Sequence, residues 1–149
     1  MITVEDTLTI DAPREDVFEF LDDPHNHAAV TPSLEDVKNI EPLDNGGKRL
    51  DFTYTIGGLG FEGELEETEH VPPEVLQFDM RGRLEGEIRI ILEEIDDETT
   101  KATYAADYDL PGQVIEKLAE PFVHRYNERE QRSTLENIKT RLELSSPVA

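Results

Sequence analysis

The chain contains no cysteine and no tryptophan, only five lysines, and no apolar run that approaches membrane-spanning length. Without cysteine there is no disulfide framework, no thiolate nucleophile and no cysteine metal site, so several enzyme classes fall away together and the redox compartment stays unread. Without a run of about 20 apolar residues, no helix is expected to cross a bilayer. The opening Met1-Ile2-Thr3-Val4-Glu5-Asp6 lacks the basic and apolar regions of a secretory signal, which makes the cytoplasm the expected compartment. A length of 149 residues with 36% apolar content suits one domain, expected over 1–144, with 145–149 as a loose tail.

Acid is what the chain has in excess. Thirty-five Asp and Glu face 14 Lys and Arg, a net charge of -21 at pH 7, and the acids are spread from Glu5 to Glu143. Nine arginines outnumber the lysines. A uniformly acidic surface poor in lysine resembles proteins of high-salt cytoplasm, where dense carboxylates hold water and counterions screen their repulsion. A docking site for a basic partner would instead gather the acids in one patch. Nucleic acid and anionic membranes are excluded as partners by the same charge, since each calls for a basic face.

Ile2, Val4, Leu8 and Ile10 alternate with Thr3, Glu5, Thr7 and Thr9, which is the period of a half-buried strand, and Asp6 falls on its apolar face. Asp11 stands ahead of Ala12-Pro13-Arg14-Glu15 as a capping residue, and Val17, Phe18, Phe20 and Leu21 follow at helical spacing to Asp22-Asp23-Pro24. His25 to Val30 suits a second brief helix, stopped by Thr31-Pro32. From Leu34 to Leu110 the pattern is strand and turn. Val37–Leu43 precedes the turn Asn45-Gly46-Gly47; strands follow through Phe52, Tyr54 and Ile56, through Phe61, Gly63 and Leu65, and through Leu76, Phe78 and Met80. Leu84, Ile88, Ile90 and Leu92, then Ala102, Tyr104, Ala106 and Tyr108, complete an antiparallel meander. From Gly112 to about Leu144 one long helix is expected, with Val114, Ile115, Leu118 and Phe122 as a first apolar face and Leu135, Ile138 and Leu142 as a second. Between the faces, His124 to Ser133 is polar all round, so the helix is expected to span a cavity rather than a solid core.

This order of elements resembles the helix-grip plan of the START-like superfamily. Ile10-Asp11-Ala12-Pro13-Arg14-Glu15-Asp16-Val17-Phe18 is similar to the opening of its polyketide cyclase/dehydrase-like branch, and Leu135 to Glu143 is similar to that branch's closing helix. Many members carry a tryptophan just before the proline that follows the second short helix; here Val30 precedes Thr31-Pro32. The resemblance implies an α+β domain in which a curved seven-stranded sheet grips the long helix, with a cavity for a lipid, sterol, polyketide or similar small molecule. Fold kinship does not choose among these.

Gly63, Gly86, Ala102 and Ala106 on the inward faces are expected in combination to leave room for such a cavity, although any one glycine more often marks a bulge or a close approach. Its expected lining is Phe52, Tyr54, Phe78, Met80, Ile88, Tyr104, Tyr108 and Phe122, with Arg125 and Arg129 meeting the polar end of a ligand. The two apolar arcs of the helix disagree by roughly a third of a turn, a rotation that a kink at Pro121 would absorb. One arc turns Arg125, Arg129 and Arg132 inward; the other turns in His124, Glu128 and Gln131.

Catalytic patterns are sparse. Gly57-Gly58-Leu59-Gly60 lacks the helix and lysine of a phosphate loop and reads as a hairpin turn, and no serine occupies a nucleophile elbow. His25 and His27 have no recognisable third metal ligand, and His70 beside Val71-Pro72-Pro73 reads as an exposed strand end, so neither a metal nor a cofactor is expected. The acid-base candidates are Asp6, Tyr104 and His124, with Tyr54 and Tyr108 beside them. The leading expectation is binding of a small hydrophobic or amphipathic ligand by a monomer or weak dimer. A cofactor-independent cyclase, dehydratase or isomerase is the alternative, and a co-chaperone or assembly factor acting through its surface is the third.

Overall fold

The computed structural model describes residues 2–56, 59–109 and 120–145, and gives the backbone alone for residues 2, 56, 120–124, 126, 127, 144 and 145. Seven strands form one antiparallel sheet: β1 (Ile2–Ile10), β2 (Leu34–Pro42), β3 (Lys48–Ile56), β4 (Leu59–Val71), β5 (Val75–Gly82), β6 (Glu85–Asp96) and β7 (Thr99–Asp109). Their spatial order is β1-β7-β6-β5-β4-β3-β2, so strands two to seven run as a meander and β1 closes against the last of them. Two short helices, α1 (Arg14–Asp22) and α2 (Pro24–Val30), fill the connection from β1 to β2, and the long α3 (Glu120–Ser145) packs chiefly on β1. This is the curved-sheet α+β architecture expected. No helix among the described residues is long and apolar enough to cross a membrane.

Alternation builds the inner face. In β1, Val4 and Ile10 are buried while Thr3, Glu5, Thr7 and Thr9 are exposed, as a two-residue period requires. Cross-strand register then lines up inward side chains in rows, one of which runs Val4, Ala106, Ile88 and Phe78 across β1, β7, β6 and β5. Further along the inner face Leu76, Ile90 and Leu92 are fully buried in the core, each stabilising the fold by about 1.5–3 kcal/mol.

Helix α3 contributes Leu135, Ile138 and Leu142 to that core, at spacings that keep them on one face. It also covers the edge strand. Arg132 and Lys139 donate to the carbonyls of Thr7 (3.4 Å) and Thr9 (3.2 Å), and Glu143 accepts the Asp11 N–H at 3.0 Å. Edge carbonyls held this way are unavailable to a foreign strand.

Some local expectations need correction. Pro13, not Asp11, occupies the N-cap of α1 and offers no side-chain acceptor; Asp11 stands two residues earlier, with its N–H bonded to Glu143 of α3. Strand β2 begins at Leu34 and breaks its alternation: Asp36 and Asn39 adopt positive φ (52° and 54°), and two register shifts against β3 each disturb the two-residue count. Gly63 and Gly86 do not leave space. A Cβ on Gly63 would lie 2.9 Å from the Phe52 ring, and one on Gly86 would lie 2.6 Å from Tyr108, so both allow close packing. Val114, Ile115 and Leu118 lie outside the described residues, and with them the first apolar arc of the helix.

Candidate functional site

A cavity of about 70 Å³ lies where the sheet's inner face meets α2 and the middle of α3. It is several times the roughly 10–15 Å³ that one water needs. Phe52, Tyr54, Tyr104 and Tyr108 give it an aromatic wall, with Tyr54 and Tyr108 edge-to-face at 6.4 Å. Val4, Leu65, Met80, Leu84 and Ile88 add aliphatic surface, and Ala106 provides room in the row between Val4 and Ile88.

The polar side chains gather at the helices. Asp23 caps α2 by accepting the His25 N–H at 2.9 Å, and one turn of helix then points His27 inward. His27 is 5% exposed, its ring packs against Phe78 at 5.8 Å, and its Nε2 lies 3.3 Å from the Tyr104 hydroxyl. Burial lowers the imidazole pKa to about 4 and pushes the Tyr104 phenol well above its usual value, with Tyr54 and Glu130 adding to the latter. Both groups are therefore uncharged at neutral pH. From α3, Gln131 is buried and its amide donates to the carbonyls of Val4 (3.5 Å) and Tyr104. Glu130 accepts the Ser33 N–H at 2.5 Å, and the Thr134 hydroxyl donates to the Glu130 carbonyl at 3.0 Å. An apolar chamber with a few convergent polar groups, two of them a neutral imidazole and a neutral phenol in contact, suits ligand binding and proton transfer.

The family model for polyketide cyclase/dehydrase and lipid transport proteins matches residues 1–143. The chain belongs to that family. Its fold is also that of the Zhui aromatase/cyclase from Streptomyces sp. R1128, at TM-score 0.79 and 18% identity over 98% of this chain and 96% of that one. A START superfamily protein from Mycobacterium smegmatis superposes at TM-score 0.77 and 13% identity, covering 95% and 97% of the two chains. The Aha1 dimer from Colwellia psychrerythraea follows at TM-score 0.67 and 14% identity, covering 99% and 100%. No curated protein matches the sequence. At these identities the likenesses speak for the fold alone.

Within this polyketide cyclase/dehydrase family member, the expected lining residues Phe52, Tyr54, Met80, Ile88, Tyr104 and Tyr108 meet at the cavity, while Phe78 stands behind His27 beside a separate void. Arg125 and Arg129 are exposed on α3 and do not line it. Arg132 is exposed as well, bonded to Asp6 at 3.2 Å and to Glu136 at 3.3 Å. Asp6 accordingly lies at the edge of the sheet, facing that arginine rather than the cavity. Of the second arc Gln131 enters and Glu128 is exposed, whereas the side chains of Phe122 and His124 lie outside the described residues. The inward face is the backward extension of Leu142, Ile138 and Leu135 through Thr134 and Gln131.

Two histidines have surroundings that the sequence did not suggest. His27 lies in the brief helix expected over 25–30, but its ring is buried beside Phe78 and Tyr104. His70 is tucked inward because a bulge in β4 adds one residue: Glu67 pairs with Phe78, but Glu69 pairs with Gln77 and His70 with Leu76. Glu67 and His70 thus share the inner face, with His70 Nδ1 2.5 Å from Glu67 Oε2 and 3.6 Å from Asp22 Oδ1. These three could each offer an atom to a metal within 4.8 Å of one another. The Lys48 ammonium already occupies the cluster, donating to the Asp22 carbonyl at 2.9 Å, and the Lys48 N–H donates to Glu67 at 3.3 Å. Burial raises the Glu67 pKa against the pull of His70. The set is an ion-pair latch joining α1, β3 and β4.

Proposed function

We propose that the protein binds a small hydrophobic or amphipathic molecule in the chamber between the sheet and α3. The observation that carries the reading is the aromatic and aliphatic wall into which His27, Glu130 and Gln131 bring polar groups. Native mass spectrometry of protein purified from its own cells is expected to show a retained small molecule. Replacing Ala106 by Leu fills the centre of the row between Val4 and Ile88 and is expected to abolish retention while circular dichroism shows an intact fold. A wild-type protein that carries nothing and binds no member of a panel of fatty acids, sterols and aromatic ketones overturns the reading.

The contact between His27 and Tyr104 favours a second reading, a cofactor-independent cyclase, dehydratase or isomerase, the class to which the name of the Streptomyces neighbour points. A neutral imidazole would take a proton from the ligand while the phenol donates to the oxygen on which charge develops. Under this reading His27→Gln and Tyr104→Phe remove turnover and leave ligand affinity within a few-fold. Parallel loss of both returns the protein to binding alone.

A further inference from the structure

We infer that the cavity selects an uncharged, hydroxyl-bearing ring compound over the same skeleton carrying a carboxylate. The inference rests on the ligand-binding reading above and adds the charge and bonding character of the ligand.

Charge is the first ground. None of the described residues that line the cavity is a lysine or arginine, and the one acid among them is Glu130. The three arginines in the middle of α3 are exposed, with Arg132 engaged by Asp6 and Glu136. His27, the only basic side chain on the described wall, is neutral at pH 7 because burial opposes its protonation. A carboxylate drawn into this space would leave water to meet another carboxyl and, among the described residues, no counter-cation, a costly way to bury a charge.

Bonding capacity is the second. The Thr31 hydroxyl donates to the His27 carbonyl at 2.8 Å, the Thr134 hydroxyl to the Glu130 carbonyl, and the Gln131 amide to two backbone oxygens. Their protons are engaged, and what they still offer a ligand is lone pairs, to which the Glu130 carboxyl adds its own. The end that Thr31, Glu130, Gln131 and Thr134 form thus calls for a donor, which a hydroxyl supplies and an ether or ester lacks, while the tyrosine hydroxyls of the wall can give a proton to the same ligand oxygen.

Isothermal titration calorimetry with 2-naphthol, 2-naphthoate and 2-methoxynaphthalene at pH 7 separates these grounds. A phenol with pKa about 10 is neutral there and a carboxylic acid with pKa about 4 is charged. The titrations are run in about 1 M KCl, where a Debye length of about 3 Å removes the general repulsion of the acidic surface. Naphthol is expected to bind at least about tenfold more tightly than either of the other two, the size of one hydrogen bond or more. Glu130→Gln is expected to narrow the gap to naphthoate, but the three wild-type titrations decide the matter without it. Naphthoate binding as tightly as naphthol overturns the charge selection, and methoxynaphthalene doing so overturns the call for a donor. Failure of all three to bind overturns the inference of a ring-compound site, and the ligand-binding reading falls with it only if the panel of fatty acids, sterols and aromatic ketones fails as well.

Discussion

His27 Nε2 lies 3.3 Å from the Tyr104 hydroxyl, joining α2 to β7 across the inner face of the sheet with both side chains buried. A histidine kept neutral in the fold has a consequence for stability. Its pKa is about 4 when folded and 6.5 when exposed, so between those values the unfolded chain binds a proton that the folded one does not. The contribution is therefore complete above pH 6.5 and is lost as pH falls towards 4, by about 3 kcal/mol in all. Urea denaturation of wild type and His27→Gln at pH 7 and pH 4.5 reads it. The wild type is expected to lose about 2–3 kcal/mol more than the variant over that range, since all other acids are common to both.

The two faces proposed for α3 differ in what a truncation costs. Gln131→Ala leaves the Val4 and Tyr104 carbonyls without their amide donor in a buried place, and is expected to destabilise by about 1–3 kcal/mol. Arg125→Ala and Arg129→Ala remove exposed side chains and are expected to stay within about 0.5 kcal/mol. Thermal melts of the three variants check the order, and an arginine variant costing more than Gln131→Ala would reverse the assignment of the inner face.

Regular periods were what the sequence made legible. The alternation in β1, β3 and β5 to β7 and the spacing of Leu135, Ile138 and Leu142 correspond to elements where each inward residue repeats at the expected step. Features that depend on breaking a period were not legible. His70 turns inward only because Thr68 is the extra residue of a bulge, and β2 loses its alternation at two register shifts. His27 was missed for another reason: the brief helix that carries it was expected, but it is too short to show an apolar face, and only the packing of α2 against the sheet decides that the ring is buried. Arg125, Arg129 and Arg132 were ambiguous because a helix face is set by what the sheet offers opposite it. Asp6 took an arginine at the sheet's edge, an arrangement that no one-dimensional pattern contains.

The latch of Asp22, Lys48, Glu67 and His70 should behave as a coupled unit. His70→Ala leaves the buried Glu67 carboxyl without its shortest partner and is expected to cost about 1–3 kcal/mol. Glu67→Leu combined with His70→Ala removes the stranded carboxyl as well, so the double variant is expected to recover more than half of that loss. Urea unfolding of the two single variants and the double one measures the coupling. Simple additivity would mean that the two side chains do not depend on each other.

Salt is expected to govern stability more than any single contact. Three arginines of the outer sheet face are already engaged, Arg81 with Glu66 at 2.8 Å, Arg49 with Asp51 at 2.8 Å and Glu64 at 3.0 Å, and Arg89 with Glu69 at 3.3 Å. With 14 basic residues against 35 acidic ones, most carboxylates have no cation to meet. Lowering the salt from about 1 M to 0.01 M lengthens the Debye screening distance from about 3 Å to 30 Å, so repulsion that was local comes to span the domain. The melting temperature is expected to fall by about 10 °C or more on dialysis into dilute buffer, a few kcal/mol for a domain of this size. Glu93→Lys, Glu94→Lys and Asp97→Lys replace exposed acids, and each reduces the net negative charge by two. If the repulsion is the cause, combining them flattens the salt dependence and leaves the melt in molar KCl unchanged; a wild-type melt indifferent to salt would contradict the high-salt reading of the surface.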